Sequence, residues 1–389
     1  MTTNGDGPVG RARTIAPTIA DESEAIHRGG RLTPIAHRAL VDADLFRACG
    51  PSEVGGAACD LRDGAAIAGI LGGADVSTGW LFVQAGSSAF NFGPRLPAAT
   101  ASEVFATPAS VVAAGFPVGT PRADAVDGGY LVSGQWGFAS GCLHASWFDA
   151  RAMVFDHDER VTTRAGLFAM MSCLVPRDAV TLTDTWDVTG MRGTGSQTYT
   201  LAETFVPAER TLPMWEKAPR SAAPSFRVPA LTYAHVQFAS LALGGAAGAL
   251  AAFTELAGGK TAAQTRTPMR EMATTHQAIA RAHSALRAAH AYQRWIIDLL
   301  LDAAASDAGV TLDERAEARL AVTSAMETAL GVVDALYRAA GTSGIFQPSP
   351  LHRTFQDLHV MSQQLFARPS HFENVGRYLL GLEHDRSLL

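Results

Sequence analysis

Aromatic, hydroxyl and imidazole groups crowd most closely in one run of the chain, Trp136-Gly137-Phe138-Ala139-Ser140-Gly141-Cys142-Leu143-His144-Ala145-Ser146-Trp147. Flat apolar walls carrying a hydroxyl and an imidazole are what orients and shields a planar organic ligand. Glycines at 134, 137 and 141 weaken a helix here, whereas the aromatics favour a pleated, half-buried surface. The run therefore reads as a sheet edge that opens into a lined cavity, flanked by strand-like residues 129–133 and 148–155. A hairpin whose aromatics fill a core and whose serine caps a turn uses the same residue types, and both readings stand at this point.

Two other stretches could carry chemistry. Gly190-Met191-Arg192-Gly193-Thr194-Gly195-Ser196 leads into a strand and not a helix, so it lacks the strand-loop-helix setting of a phosphate-binding fingerprint. It reads either as a bent loop at the sheet edge or as a lid carrying Arg192, Thr194 and Ser196 toward a cofactor. On a helix expected over 350–367, His352, Gln356, His359 and Gln363 fall on one face, with Phe355, Leu358 and Leu365 opposite. Arg353 and Asp357, four apart, can pair there. A polar stripe of this kind is more often solvated surface than active site.

Metal and nucleophile chemistry find little support. His276, His283 and His290 are each seven residues apart, about 10.5 Å along a helix, and cannot share one ion. We assign them to surface or subunit contacts and expect no metal. No Gly-x-Ser-x-Gly elbow is present, which disfavours a hydrolase.

The elements that must position these groups change in type along the chain. At 389 residues more than one domain is expected. Residues 1–19, polar and holding Arg11 and Arg13, read as a disordered lead without an apolar leader segment. Residues 20–107 are helical in pattern: Asp21 can cap a helix to about 28, Thr33-Pro34 starts another, and Ser77 or Thr78 can start the apolar helix 80–89. From 108 to 215 the period becomes two and turn residues multiply, which predicts a small antiparallel barrel or sandwich. From 225 to 389 the chain is helical again, with long helices over 233–257, 268–305 and 312–340 read as an antiparallel bundle.

Composition excludes several partners. A net charge of −6 and no basic stripe give no attraction for nucleic acid or anionic lipid. The apolar run 240–253 suits a buried helix better than a membrane span. Four cysteines without metal spacing, Cys49, Cys59, Cys142 and Cys173, fit reduced thiols in a cytoplasmic protein.

Taken together, these segments resemble the acyl-CoA dehydrogenase superfamily, and within it the two-component (group D) flavin-dependent monooxygenases. The likeness rests on residues 51–56 with Ala74-Asp75-Val76-Ser77-Thr78-Gly79-Trp80, and on Gly134-Gln135-Trp136 through Ser140-Gly141 with His144 and Trp147. Thr185-Trp186 through Gly195 followed by Phe205-Val206-Pro207, and Arg353 with Asp357-Leu358-His359, complete it. The resemblance implies an α+β, mostly α fold: an N-terminal helical domain, a central antiparallel β-barrel and a C-terminal helical bundle. It implies reduced FMN or FAD, delivered by diffusion from a separate flavin reductase, in a homotetramer. O2 and a C4a-hydroperoxyflavin would oxidise a small aromatic or amine substrate. His359 and Ser140 would be catalytic; Trp136, Phe138, Ser140, Gly141, Arg192, Thr194 and Ser196 would hold flavin. His144, Tyr233, His235 and Trp80 are candidates for the substrate pocket.

Two features depart from the family pattern. Residues 80–93 contain Ser87, Ser88 and Asn91 where many relatives carry a histidine, and Gln356 replaces the arginine before Asp357. A dehydrogenase would need a carboxylate base soon after Asp357, but none occurs between Asp357 and Pro369. An acyl-CoA dehydrogenase-like FAD oxidoreductase and a non-catalytic protein that keeps the fold are the alternatives.

Overall fold

The computed structural model describes residues 7–163, 166–214, 217–261 and 266–386. Five helices come first: α1 (Pro8–Gly29), α2 (Pro34–Asp42), α3 (Leu61–Ala74), α4 (Val76–Phe92) and α5 (Ala98–Val104). Nine strands follow: β1 (Val112–Ala114), β2 (Phe116–Val126), β3 (Gly129–Ala139), β4 (Trp147–Asp156), β5 (Glu159–Arg160), β6 (Met170–Pro176), β7 (Thr181–Thr183), β8 (Gln197–Pro207) and β9 (Thr211–Pro213). Five more helices close the chain: α6 (Ala230–Gly259), α7 (Ala273–Ala305), α8 (Leu312–Ala340), α9 (Pro350–Met361) and α10 (Ser370–Leu379). The fold is thus α+β and mostly helical.

The N-terminal lead is corrected. Residues 1–6 lie outside the described residues, but α1 runs through most of the stretch expected to be disordered. Pro8 sits in its first turn, where a missing N–H costs nothing. Ala12, Ile19, Ser23 and Ile26, all buried, form one stripe on successive turns that packs on α3. Pro17, which reads as a breaker, is carried inside the helix because tertiary burial outweighs it. The start of α4 also moves: Asp75, not Ser77 or Thr78, caps it, accepting the Thr78 N–H at 2.6 Å.

The expected antiparallel barrel is corrected to a mixed sheet. Its strands run in the order β7-β8-β3-β2-β4-β6-β9, and both β1 and β2 pair parallel with β4. A parallel neighbour needs a crossover, and β3 with the turn after it supplies one. Short-range periodicity does not encode that pairing. Trp136, on β3, stacks on Tyr199 of β8 at 5.0 Å and donates its indole N–H to the Arg151 carbonyl at 2.8 Å.

The last helices pack on the first. α6 is buried along most of its length against α3, α4 and α8. Its glycines let backbones meet: a Cβ on Gly244 would stand 2.2 Å from the Gly69 carbonyl oxygen, and one on Gly248 2.4 Å from that of Gly73. α8 begins with a capping box between Thr311 and Glu314, which fixes its start at the expected residue. α9 is shorter than expected, ending at Met361, with one further 3₁₀ turn over Leu365–Ala367.

Candidate active site

Strand β3 twists as it leaves the sheet. Phe138 is held at φ 56°, a conformation unusual for a residue with a side chain, and lies 67% exposed with its edge toward Trp186 at 5.9 Å. Two residues on, Ser140 turns inward. Its Oγ accepts the Trp80 indole N–H at 2.8 Å and lies 2.8 Å from Ser196 Oγ. Ser196 Oγ is in turn 2.6 Å from Thr194 Oγ1, which donates to the Met191 carbonyl at 2.8 Å. The Gly141 N–H, on a left-handed residue, donates to the Thr194 carbonyl at 3.0 Å. Trp80, Ser140, Gly141, Thr194 and Ser196, spread over more than a hundred residues of chain, therefore form one buried cluster.

The glycine-rich loop is clamped to α9. Met191, itself at φ 54°, donates its N–H to Asp357 Oδ1 at 2.5 Å. Gly190 lies so close that a Cβ would stand 2.2 Å from the Gln356 carbonyl oxygen, so only glycine fits. Burial, then the neighbouring Asp75 carboxylate, pushes the Asp357 carboxyl up to about 8, against the opposing pull of the Met191 N–H and Arg353. Asp75 is shifted upward by burial too, and Ser23 Oγ donates to it at 3.0 Å. The expected Arg353–Asp357 pair is corrected: among the described residues Arg353 instead donates to the Pro348 carbonyl at 2.8 Å. Asp75 and its link through α1 escape a sequence reading, although an aspartate three residues before Thr78 is a capping signal.

His359 does not join this cluster. It is two residues from Asp357, so about 200° around the helix, and faces α8, where its Nε2 lies 2.8 Å from Asp334 Oδ1. Phe355 packs against the ring at 4.4 Å, and the side chain stays 41% exposed. His352 also faces α8, 3.4 Å from the Tyr337 hydroxyl. Of the expected polar stripe, the two histidines are therefore half-buried against α8, whereas Gln356 turns toward the glycine-rich loop and Gln363 is exposed.

Three expected contacts fall elsewhere, and a fourth, His144, borders only a small cavity. Trp136 is fully buried inside the sheet, a core residue and not a wall of either cavity, because its ring has Tyr199 on one side. Tyr233 is buried and stacked on Phe90 at 3.7 Å, away from both cavities, since α6 begins inside the helical core. His235 sits edge-on to Phe366 at 4.0 Å with an Arg319 nitrogen 3.4 Å away; burial and then that charge keep its imidazole well below the usual histidine range. His144 stacks on His37 at 4.8 Å, and burial lowers it to about 4, so its ring is neutral near pH 7.

Two spaces flank the loop. A small enclosed cavity of about 10 Å³, room for roughly one water, is lined by Leu81, Gln84, Val111, Ser140 and His144 among others. Among the described residues the buried Nε2 of His144 has no hydrogen-bond partner. On the other side an open groove of about 710 Å³ is bounded by His27, Val188, Thr189, Arg192 and Gln356. That volume falls in the range of cofactor sites. Gln356 Oε1 is buried there without a partner among the described residues, the sort of orphaned acceptor a ligand N–H or hydroxyl satisfies. Arg192 is anchored by donating to the His27 carbonyl at 3.2 Å and the Val188 carbonyl at 2.8 Å. The size of the groove, the Arg192 guanidinium and the Gln356 oxygen at its edge fit a flavin.

Comparison with known proteins agrees. Residues 236–369 match the acyl-CoA dehydrogenase C-terminal domain. A pigment production hydroxylase of Rhodococcus sp. is 27% identical over 97% of both chains. The oxygenase subunit HsaA of a Mycobacterium tuberculosis flavin-dependent monooxygenase is 28% identical over 89% of this chain and 88% of that one. The structure of XiaF from Streptomyces sp. in complex with FADH2 and glycerol superposes with a TM-score of 0.87 at 27% identity, covering 97% of this chain and 95% of that one. Over its last third the chain is thus similar to the acyl-CoA dehydrogenases. Along nearly its whole length it is similar to flavin-dependent monooxygenases and hydroxylases, which are oxidoreductases.

Proposed function

We propose that this chain is the oxygenase component that takes reduced FMN or FAD from a separate, diffusibly coupled reductase and uses O2 to oxidise a small aromatic or amine substrate. The observation that carries the reading is the buried Trp80–Ser140–Ser196–Thr194 cluster, which ties the sheet edge to the loop that bounds the large groove. Ser140 and Gly141, with Thr194, Ser196 and Arg192, would hold the flavin, and Phe138 would cover it. Bound reduced flavin supplies the electron pair that activates oxygen. The chain's own residues do the rest: apolar groups such as Leu81 and Val111 exclude water from the neighbourhood of Ser140. The neutral His144, with Trp80 behind it, lines the substrate side. His359, oriented by Asp334, is the acid or base that moves the substrate proton. Its open edge fits a site that a neighbouring subunit completes, hence a homotetramer.

We read the chain as cytoplasmic, with helical segments over 20–107 and 225–389 around a β domain over 108–215. α6 and the stretch Leu312–Ile345 are long and apolar enough to cross a bilayer. Packing of α6 against α3, α4 and α8 supports a core role, without a membrane or nucleic-acid partner. A dehydrogenase is disfavoured because no carboxylate lies between Asp357 and Pro369. The test is anaerobic loading with reduced FMN or FAD, then rapid mixing with O2. A transient near-ultraviolet absorbance before oxidised flavin appears is expected; immediate oxidised flavin would remove the reading, and bleaching of bound FAD by an acyl-CoA would favour the dehydrogenase.

A further inference from the structure

A polar pocket lies inside the helical core, outside both cavities. Its centre is Cys49 and Cys59, 0% and 1% exposed. After α2 the chain turns over residues 50–58 and returns alongside itself. The Cys59 N–H donates to the Ala48 carbonyl at 3.2 Å, and the Ala58 N–H to the Gly50 carbonyl at 2.9 Å. Ala58 is held at φ 50°, unusual for a residue with a side chain, which swings Cys59 back toward Cys49. The Cys59 thiol donates to the Cys49 sulfur; that bond holds the Cys49 thiol below its ordinary range and, with burial, pushes the Cys59 thiol well above its own. Two buried side chains of α6 complete the pocket. Gln237 Nε2 donates to Cys49 Sγ at 3.9 Å, and the Tyr233 hydroxyl faces the same sulfur without a hydrogen bond of ordinary geometry. Gln237 Oε1 likewise has no partner among the described residues. Gly64 of α3 leaves the space before them open: a Cβ there would stand 2.6 Å from the Tyr233 oxygen and 2.7 Å from Gln237 Nε2. An orphaned hydroxyl and an orphaned carbonyl in a dry core are each costly.

We infer that Cys49 and Cys59 form a peroxide-sensitive modification site, in which hydrogen peroxide oxidises Cys49 to a sulfenic acid that Cys59 closes to a disulfide. The Cys49 sulfur, relieved of its proton, attacks one peroxide oxygen. The O–O bond breaks and the departing hydroxide takes up the thiol proton, giving Cys49–SOH and water. The Cys59 sulfur then attacks the Cys49 sulfur, the S–O bond breaks, and hydroxide leaves with the Cys59 proton as a second water. Two thiols lose two electrons and one peroxide gains them. The surroundings fit the intermediate, because a sulfenic acid brings an oxygen that accepts from Tyr233 and an O–H that donates to Gln237 Oε1. Both orphaned groups then gain a partner. Cys142 and Cys173 differ: burial pushes both thiols upward, and Cys142 Sγ donates to the Gly195 carbonyl at 3.2 Å. They serve as internal controls.

The experiment treats the full-length protein with added hydrogen peroxide, so its outcome does not depend on the proposed function. Remaining thiols are then blocked under denaturing conditions and mapped by mass spectrometry. Free thiols should fall from four to two, with one linked peptide pair joining Cys49 to Cys59, and a thiol reductant should restore all four. In Cys59→Ser the sulfenic acid should persist at Cys49 and be captured by dimedone, whereas Cys49→Ser should leave Cys59 unlabelled. Tyr233→Phe in the Cys59→Ser background should lower that capture by about five-fold, the worth of one neutral hydrogen bond. Four free thiols after treatment overturn the inference, as does oxidation spread evenly over all four cysteines or dimedone label on Cys59 in place of Cys49. The linkage in wild type is read without any variant, so a variant that fails to fold leaves the test intact.

Discussion

The two sides of the site are built to different standards of rigidity. On the sheet side, Ser140, Ser196 and Thr194 are buried, and each hydroxyl has at least two partners. On the bundle side, His359 has one hydrogen-bond partner among the described residues, Asp334, and a side chain 41% exposed. Under the proposed function the contrast falls between groups that would recognise the cofactor, which need fixed positions, and the group that would move the substrate proton.

That division can be broken from either side. The largest effect is expected at the mobile side: His359→Ala should lower substrate oxidation by about 10²- to 10⁴-fold, measured as product formed per turnover of supplied reduced flavin, with reduced-flavin binding nearly unchanged. Full activity would show that the proton moves elsewhere. On the rigid side, the anchor beneath the loop should show itself in stability against pH. The Asp357 carboxyl, raised to about 8 from an unfolded 3.8, keeps a proton that the unfolded chain has already lost. Its contribution is therefore complete below about pH 4 and is lost as pH climbs through 8. Asp357→Asn can still accept the Met191 N–H and should flatten that slope in urea titrations between pH 5 and 9; a slope equal to wild type would place the charge elsewhere.

Smaller changes sharpen the same contrast. Gly190→Ala puts a methyl 2.2 Å from the Gln356 carbonyl oxygen and should cost about 1–3 kcal/mol by parting loop from helix. Denaturant midpoints will read it, and an unaltered midpoint would mean that loop and helix separate freely. Trp80→Phe removes the indole donor to Ser140 together with part of the ring and should cost about 1–3 kcal/mol. Loss of far more than that would mean the ring matters for packing against Phe238 and not for its N–H.

What could be read from the chain beforehand divides along physical lines. α8 was legible to the residue because its capping box is local, and Ser140 because the glycines and aromatics around it announce a bend. The glycine-rich loop was legible as a donor-bearing segment, though not its seat on α9. α1 was hidden by Pro17 and by polar residues that obscure a stripe of single buried positions. The parallel pairing of β2 with β4 was invisible because alternation of side chains says nothing about which neighbour a strand takes. Trp136 misled for a related reason: indole suits a cofactor wall and a sheet interior equally well, and only the position of Tyr199 decides.

The contact between α3 and α6 sets a schedule for how the protein is made. Gly69 and Gly244 touch through their backbones yet stand 175 positions apart (244 − 69). At about 5–20 residues per second, a ribosome needs roughly 9–35 seconds to travel between them. During that interval α3 displays a face shaped for a backbone that has not yet been synthesised, while the entire sheet emerges and pairs. The newborn chain must therefore keep that glycine-lined groove unspoiled until its distant partner arrives.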